Sequence, residues 1–261
     1  MGSLLRGALT AIASVTLVLG SASSGMSAES SMELRMAGSV VPVPCSDTRG
    51  CPDLGAAIKQ TKIDRQTFSS TDCAVVEGEV PAGRRTLLRF TSDTPNFGPG
   101  ALIVGKPSDH PEWFAYAPCH GHYHFIDYAA YRLWTPVGYS AWLDLKRTNP
   151  NALSADLLQA HPDIASQFVA GHKQGFCVID VVKVGAAGNS RDPRTYADCF
   201  GVQGIGVGWA DEYAFYLDGQ WIDITDVASG SYVLEVETNA GRLYTETNYA
   251  NNTAAVQVKV P

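Results

Sequence analysis

Apolar and polar positions alternate most cleanly near the C-terminus. Tyr232, Leu234 and Val236 interleave with Val233, Glu235 and Glu237, and Val256, Val258 and Val260 interleave with Gln257 and Lys259. A period of two at this spacing predicts half-buried antiparallel strands packed as a sandwich. Upstream, "RTLLRFTS" (85–92) and "ALIVG" (101–105) are short apolar runs bounded by Gly, Pro and Asn, which reads as strand and turn. "HYHFIDYAAYRLW" (122–134) predicts one long aromatic-rich strand and "GFCVIDVVKV" (175–184) another. Helix is expected only over Asp53 to about Gln66 and within "NPNALSADLLQAHPDI" (149–164). The expected class is mainly β: an antiparallel β-sandwich with few short helices, long loops and disulfide staples.

The first 28 residues stand apart from this pattern. Arg6 precedes an apolar run from Ala8 to Gly20 and then small residues, which reads as a secretory signal cleaved after Ala22 or Ala28. That run is too short to span a bilayer, and no later one approaches the ~20 residues needed. Residues 29–50 are small, polar and turn-rich, and read as a flexible N-terminal arm; residues 51–261 read as a single domain. A formal charge of −7 argues against nucleic acid as a partner and suits cationic ones. In an exported chain the six cysteines read as three disulfides, with fifteen connectivities open to counting alone.

Chemistry concentrates in "CHGHYH" (119–124), where half of the six histidines occupy alternate positions. On an ideal strand His120 and His124 would stand about 13 Å apart at Cα. Three imidazoles converge on one ion only if the backbone bends, and Gly121 makes a bend inexpensive. Imidazole suits Zn, Cu, Ni or Fe alike, and three protein ligands leave positions for water or substrate. The bland alternative is a run of surface histidines on a strand.

Two further stretches follow in order, "GHKQGFC" (171–177) and "DEYAFYLDGQWIDITDV" (211–227). Together with the histidines they resemble the catalytic domain of the lysyl oxidase family, and "LLRF" (87–90) and "NYANN" (248–252) fall in the same order. The resemblance runs over about residues 51 to 260. It implies a secreted copper amine oxidase that converts primary amines, including peptidyl lysine, to aldehydes, consuming molecular oxygen and releasing ammonia and hydrogen peroxide. Its copper (Cu2+) ligands would be His120, His122 and His124. Its cofactor, lysine tyrosylquinone, would be a cross-link of Lys173 with Tyr213, and for that addition the lysine must lose its proton. Asp211 and His172 are candidates for the base that accepts the substrate proton, by proximity in sequence alone. The aromatics of "EWFAYAP" (112–118) and "YAAYRLW" (128–134) either line a pocket or pack.

The same resemblance implies disulfides Cys73–Cys119 and Cys177–Cys199, with Cys45–Cys51 a local extra. Trp209 and Gly219 stand where the family usually has cysteine, and Val181 to Val184 lacks another. It also implies a calcium (Ca2+) site joining "PDL" (52–54) to "ETNYANN" (246–252), with Asp53, the carbonyl of Leu54, Glu246, Asn248, Asn251 and Asn252 supplying hard oxygens. Asn248 replaces an aspartate, removing one charge. An Asn-rich turn before the last strand explains the same residues without a metal. Two rival readings of the whole chain are a non-catalytic, metal-binding β-sandwich with an adhesive or structural role, and a copper carrier. Only four methionines, unclustered, count against a Cu(I) carrier.

Overall fold

A computed structural model describes residues 42–173, 176–185 and 191–261. The signal segment and most of the expected N-terminal arm lie outside these residues. Thirteen strands and four short helices run in the order β1 (Ala57–Phe68), α1 (Cys73–Val76), β2 (Gly83–Pro95), β3 (Leu102–Gly105), β4 (Phe114–Ala117), β5 (His122–Phe125), β6 (Ala129–Trp134), α2 (Pro136–Thr148), α3 (Ser154–Ala160), α4 (Pro162–Ala165), β7 (Phe168–Ala170), β8 (Val182–Lys183), β9 (Gln203–Ile205), β10 (Trp209–Tyr213), β11 (Trp221–Asp223), β12 (Gly230–Thr238) and β13 (Thr253–Val260).

One sheet is ordered β1-β2-β10-β8, with β11 also on β2; the other is β13-β12-β6-β7, and all pairings are antiparallel. Their facing side chains form the main core: Leu88 and Phe90 of β2 and Ile222 of β11 meet Leu133 of β6, Leu234 and Val236 of β12, and Val258 of β13. This is the expected sandwich. β2 is buried on both faces from Leu87 to Pro95, as a strand covered on each side must be. Two two-stranded ladders lie outside these sheets, the long-range pair β3-β9 and the hairpin β4-β5.

Four expectations need correction. The segment expected as a helix over Asp53–Gln66 is extended and enters the edge strand β1, paired along its length with β2. A register shift between Ile58 and Gln60 breaks the period of two there, and this hid the strand. The single strand expected over 122–134 is two, β5 and β6, separated by a turn in which Asp127 takes φ 57°. The strand expected over 175–184 shrinks to β8, plus one bridge between Phe176 and Phe125. Its polar groups are satisfied without a ladder. Val178 N–H donates to Gln203 Oε1, and the Asp180 carboxylate accepts from the N–H groups of Thr195, Tyr196 and Gly206. The helix α2 was not anticipated, although Thr135 caps it by accepting from Gly138 N–H, Pro136 opens it, and Lys146 and Arg147 close it.

The described part of the arm is fastened to the domain. Val43 N–H donates to Leu243 O and Thr245 N–H to Val43 O, and Arg49 bridges Asp47 and Asp192. Disulfides link Cys45–Cys51, Cys73–Cys119 and Cys177–Cys199. No helix among the described residues is long and apolar enough to cross a membrane.

Candidate metal centre and active site

The β4-β5 ladder pairs Ala117 with His122 and Ala115 with His124, so the last two histidines project from one face of β5. His120 comes from the connecting turn, where Gly121 holds φ 68° and both His120 N–H and Gly121 N–H donate to Ala117 O. The bend removes the separation an ideal strand would impose. His120 Nδ1 lies 3.2 Å from His124 Nε2, which lies 3.0 Å from His122 Nε2. All three ligand-capable nitrogens fall within 4.8 Å of one another, the one such group of metal-binding side chains among the described residues.

The protonation pattern suits a cation. His122 Nδ1 sits 3.0 Å from the carbonyl of His120, which only accepts, so Nδ1 carries the hydrogen and Nε2 keeps its lone pair. Burial pushes His122 below its ordinary pKa, and it pushes His124 down to about 3, so these rings are neutral near pH 7. The positive charge of Lys173 adds to the lowering at both rings.

Phe176 connects this hairpin to the other half of the site. Its N–H donates to Phe125 O, and it accepts in turn from Phe125 N–H, next to His124. Its ring meets Tyr213 edge to face at 4.8 Å. Tyr213 ends β10 opposite Ser92, and its hydroxyl donates to Cys177 O at 2.8 Å. Lys173 is half-buried with Nζ 5.1 Å from the Tyr213 ring centroid and 5.3 Å from that of Phe176, donating to Asp218 O at 2.9 Å. Desolvation lowers the Lys173 pKa, against the opposing pull of Glu79, Asp218, Asp211 and Glu77.

Of the two proton acceptors considered from sequence, Asp211 is fully buried beneath Tyr213. Burial raises its pKa far above the carboxylate range, and its Oδ2 is buried without a hydrogen-bond partner. His172 is exposed and lines an open cavity of about 270 Å3 with Glu79, Pro81, Val169, Ala170, Asp223, Asp226 and Val227. Most of the aromatics near the hairpin pack: Phe114, Tyr128, Tyr131 and Trp134 are core residues, and Trp113 stacks on His110, whereas Tyr116 is exposed and meets Tyr123 edge to face.

The six residues considered for calcium also gather. Glu246 accepts from Leu54 N–H through Oε2 and from Asn239 and Asn252 through Oε1. Asn251 Nδ2 donates to Asp53 Oδ1, and Asn248 Nδ2 donates to Asn251 Oδ1. Asn252 Oδ1 is buried without a hydrogen-bond partner, which suits an oxygen ligand for a hard cation.

The Lysyl oxidase family model matches residues 153–260, which hold Lys173, Tyr213 and the stretch through Val227. The chain belongs to the lysyl oxidase family. It is 32% identical over 221 residues to lysyl oxidase homolog 3B of Danio rerio, covering 80% of this chain and 23% of that protein. Identity to lysyl oxidase homolog 3 of Homo sapiens is 32% over 175 residues, covering 66% of this chain and 18% of the other. Protein-lysine 6-oxidase of Homo sapiens is 30% identical over 175 residues, 67% of this chain and 34% of its own length. The chain therefore spans about a third or less of these curated relatives. Within this lysyl oxidase domain, sequence reading had already singled out the histidines, Lys173 and Tyr213. It missed the groups around them: the carbonyls of Asp218 and Cys177, which accept from Lys173 and Tyr213, the ring of Phe176, and the carboxylates of Glu77 and Glu79, which act on Lys173 through their charge. Backbone carbonyls have no sequence signature, and Glu77 and Glu79 belong to none of the recognised motifs.

Proposed function

We propose that this protein is an exported, copper-dependent amine oxidase that uses a lysine tyrosylquinone built from Lys173 and Tyr213. The observation that carries the reading is the approach of the Lys173 amine to within 5.1 Å of the Tyr213 ring centroid, beside three convergent imidazoles. The donor set fits copper: three imidazole nitrogens with room for further ligands. His120, His122 and His124 would hold it. Copper with oxygen supplies the oxidation of a phenol to a quinone, and the quinone is an electron sink for amine oxidation. The net reaction turns a primary amine, water and dioxygen into an aldehyde, ammonia and hydrogen peroxide.

The chain's own residues prepare this. Desolvation favours the neutral, nucleophilic form of Lys173, and the Asp218 carbonyl holds its amine over the ring. The hydroxyl bond to Cys177 O and the edge contact with Phe176 fix the ring plane of Tyr213. Glu79, Asp223 and Asp226 place three carboxylates around the cavity next to Lys173, a lining suited to an ammonium substrate. His172 at that cavity is the proton acceptor best placed to face incoming substrate. Asp53, Leu54, Glu246, Asn248, Asn251 and Asn252 would hold calcium, with a structural role.

Peptide mapping of the copper-loaded, oxygen-exposed chain tests the reading. A covalent Lys173–Tyr213 peptide together with peroxide release on adding a primary amine is expected. Copper bound with the two peptides unlinked and no peroxide would leave the protein a non-catalytic metal-binding sandwich.

A further inference from the structure

The disulfide Cys73–Cys119 joins α1 directly to the turn that carries His120. A second contact runs parallel to it. Glu77 follows Cys73 by four residues and its N–H donates to Cys73 O at 2.8 Å, so both side chains leave one face of the same turn. On the opposite side, His120 follows Cys119. Glu77 Oε2 stands 3.7 Å from His120 Nε2, with 13% and 18% of the two side chains exposed. His120 Nε2 and Glu77 Oε1 are both buried without a hydrogen-bond partner. Buried polar atoms of this kind pair with whatever is in reach, and the Glu77 carboxylate is within reach of His120 Nε2.

The tautomer follows from that geometry. His120 turns Nδ1 inward, 3.2 Å from His124 Nε2, and Nε2 outward to Glu77. A neutral imidazole has one hydrogen, and a carboxylate only accepts. A hydrogen on Nε2, aimed at Glu77, leaves the lone pair on Nδ1 facing the other two rings. His122 reaches the mirror outcome with a backbone acceptor: its Nδ1–H faces His120 O, leaving Nε2 inward.

We propose that Glu77 is a positioning residue that fixes the Nε2–H tautomer of His120, so that the ring binds metal through Nδ1. The inference rests on the reading of His120, His122 and His124 as a copper centre. It assigns Glu77 no bond to the metal. Its charge acts through the imidazole, raising ligand basicity and holding the ring plane.

The test measures copper(II) affinity by chelator competition in the full-length chain and in its Glu77→Gln and Glu77→Ala variants. The zinc-loaded forms, labelled with 15N-histidine, report the His120 tautomer by NMR. Removing an outer acceptor of this kind weakens metal binding about 10- to 100-fold, which is expected for Glu77→Ala. Glu77→Gln keeps an accepting oxygen and should lose less. The unchanged chain should show Nδ1 coordination at His120, and Glu77→Ala a loss of that preference. Equal affinity in all three overturns the proposal. So does weaker binding in Glu77→Ala with Nδ1 coordination fully kept, which would make Glu77 a direct ligand. Failure of the unchanged chain to bind copper would overturn the copper reading first, and this one with it. Unaltered melting of the metal-free Glu77→Gln variant separates positioning from folding.

Discussion

A lysine amine adds to an electrophile only when neutral, and the ordinary pKa of 10.5 leaves almost none neutral at pH 7. Lys173 is surrounded by Phe176, Tyr213 and the 214–220 loop, and the desolvation they impose lowers its pKa. The sign is fixed by that direction. The charged amine is disfavoured in the folded state, so the group costs stability at low pH, and the cost fades as pH climbs toward 10.5. Acylation of Lys173 in a metal-free Tyr213→Phe variant, which cannot cross-link, should therefore have its midpoint below 10.5, read by mass spectrometry across pH. A midpoint at or above 10.5 would remove desolvation from the account. Lys173→Met and Tyr213→Phe should each abolish the cross-linked peptide while copper is retained, because neither side chain is among the imidazole nitrogens. At this scale the sequence was informative where side-chain identity is the chemistry, as in the histidines, Lys173 and Tyr213. It was silent where a carbonyl oxygen supplies the contact.

Between β10 and β11, residues 214–220 form the loop whose Asp218 carbonyl holds Lys173. Arg89, buried in β2, fastens it. Nη1 donates to Phe215 O at 3.2 Å and Leu217 O at 3.5 Å, Nη2 donates to Gln66 Oε1 at 2.6 Å, and the guanidinium lies 4.5 Å from the Trp221 ring centroid. Phe215 N–H donates to Thr91 Oγ1, and Gln220 is held by Ser92 and Tyr131. Gly219 takes φ 70°, where a side chain is strained, and a Cβ there would crowd the buried Glu79 carboxylate, which accounts for glycine at this position. Arg89→Met keeps the volume but abandons the two carbonyls, at a cost of about 1–3 kcal/mol. It should lower the yield of the Lys173–Tyr213 cross-link and raise hydrogen exchange over 214–219, with β12 and β13 unchanged. An undiminished cross-link yield would show that the loop keeps its place without the arginine. The "LLRF" stretch was legible as strand and as family motif, yet its arginine's task depends on a loop more than 120 residues away. Local pattern also failed for β1, where the shift between Ile58 and Gln60 breaks alternation, and between β5 and β6, where continuous aromatics run across the turn at Asp127.

Across the whole molecule, the calcium candidates join the first described segment to the turn before the last strand. Leu54 N–H meets Glu246, 192 residues away, and Asp53 meets Asn251, 198 away. A cation bound there closes a loop that spans nearly the entire domain, so it acts on global stability and not on the imidazole cluster. Burial raises Glu246 from 4.5 to about 7, against hydrogen bonds from Asn239, Asn252 and Leu54 N–H. In the metal-free chain the folded state therefore holds a proton that the unfolded state releases at lower pH, and stability falls as pH rises from 4.5 toward about 7. Calcium needs the ionised carboxylate and takes the proton's place. Its stabilising increment should be small at pH 5.5, grow through that window, and reach about 2.7 kcal/mol at a hundredfold excess over Kd above it. Melting temperatures with calcium and with chelator, at pH 5.5 and pH 8, measure the increment directly. Asn248→Asp adds a carboxylate at an exposed position and should tighten binding at pH 8, at the expense of the hydrogen bond that Asn248 Nδ2 donates to Asn251 Oδ1. Equal melting with calcium and chelator at both pH values would leave these residues as a hydrogen-bonded turn. The Asn252 oxygen would then remain buried without a partner, a cost of about 1–3 kcal/mol that the calcium reading explains and the turn does not.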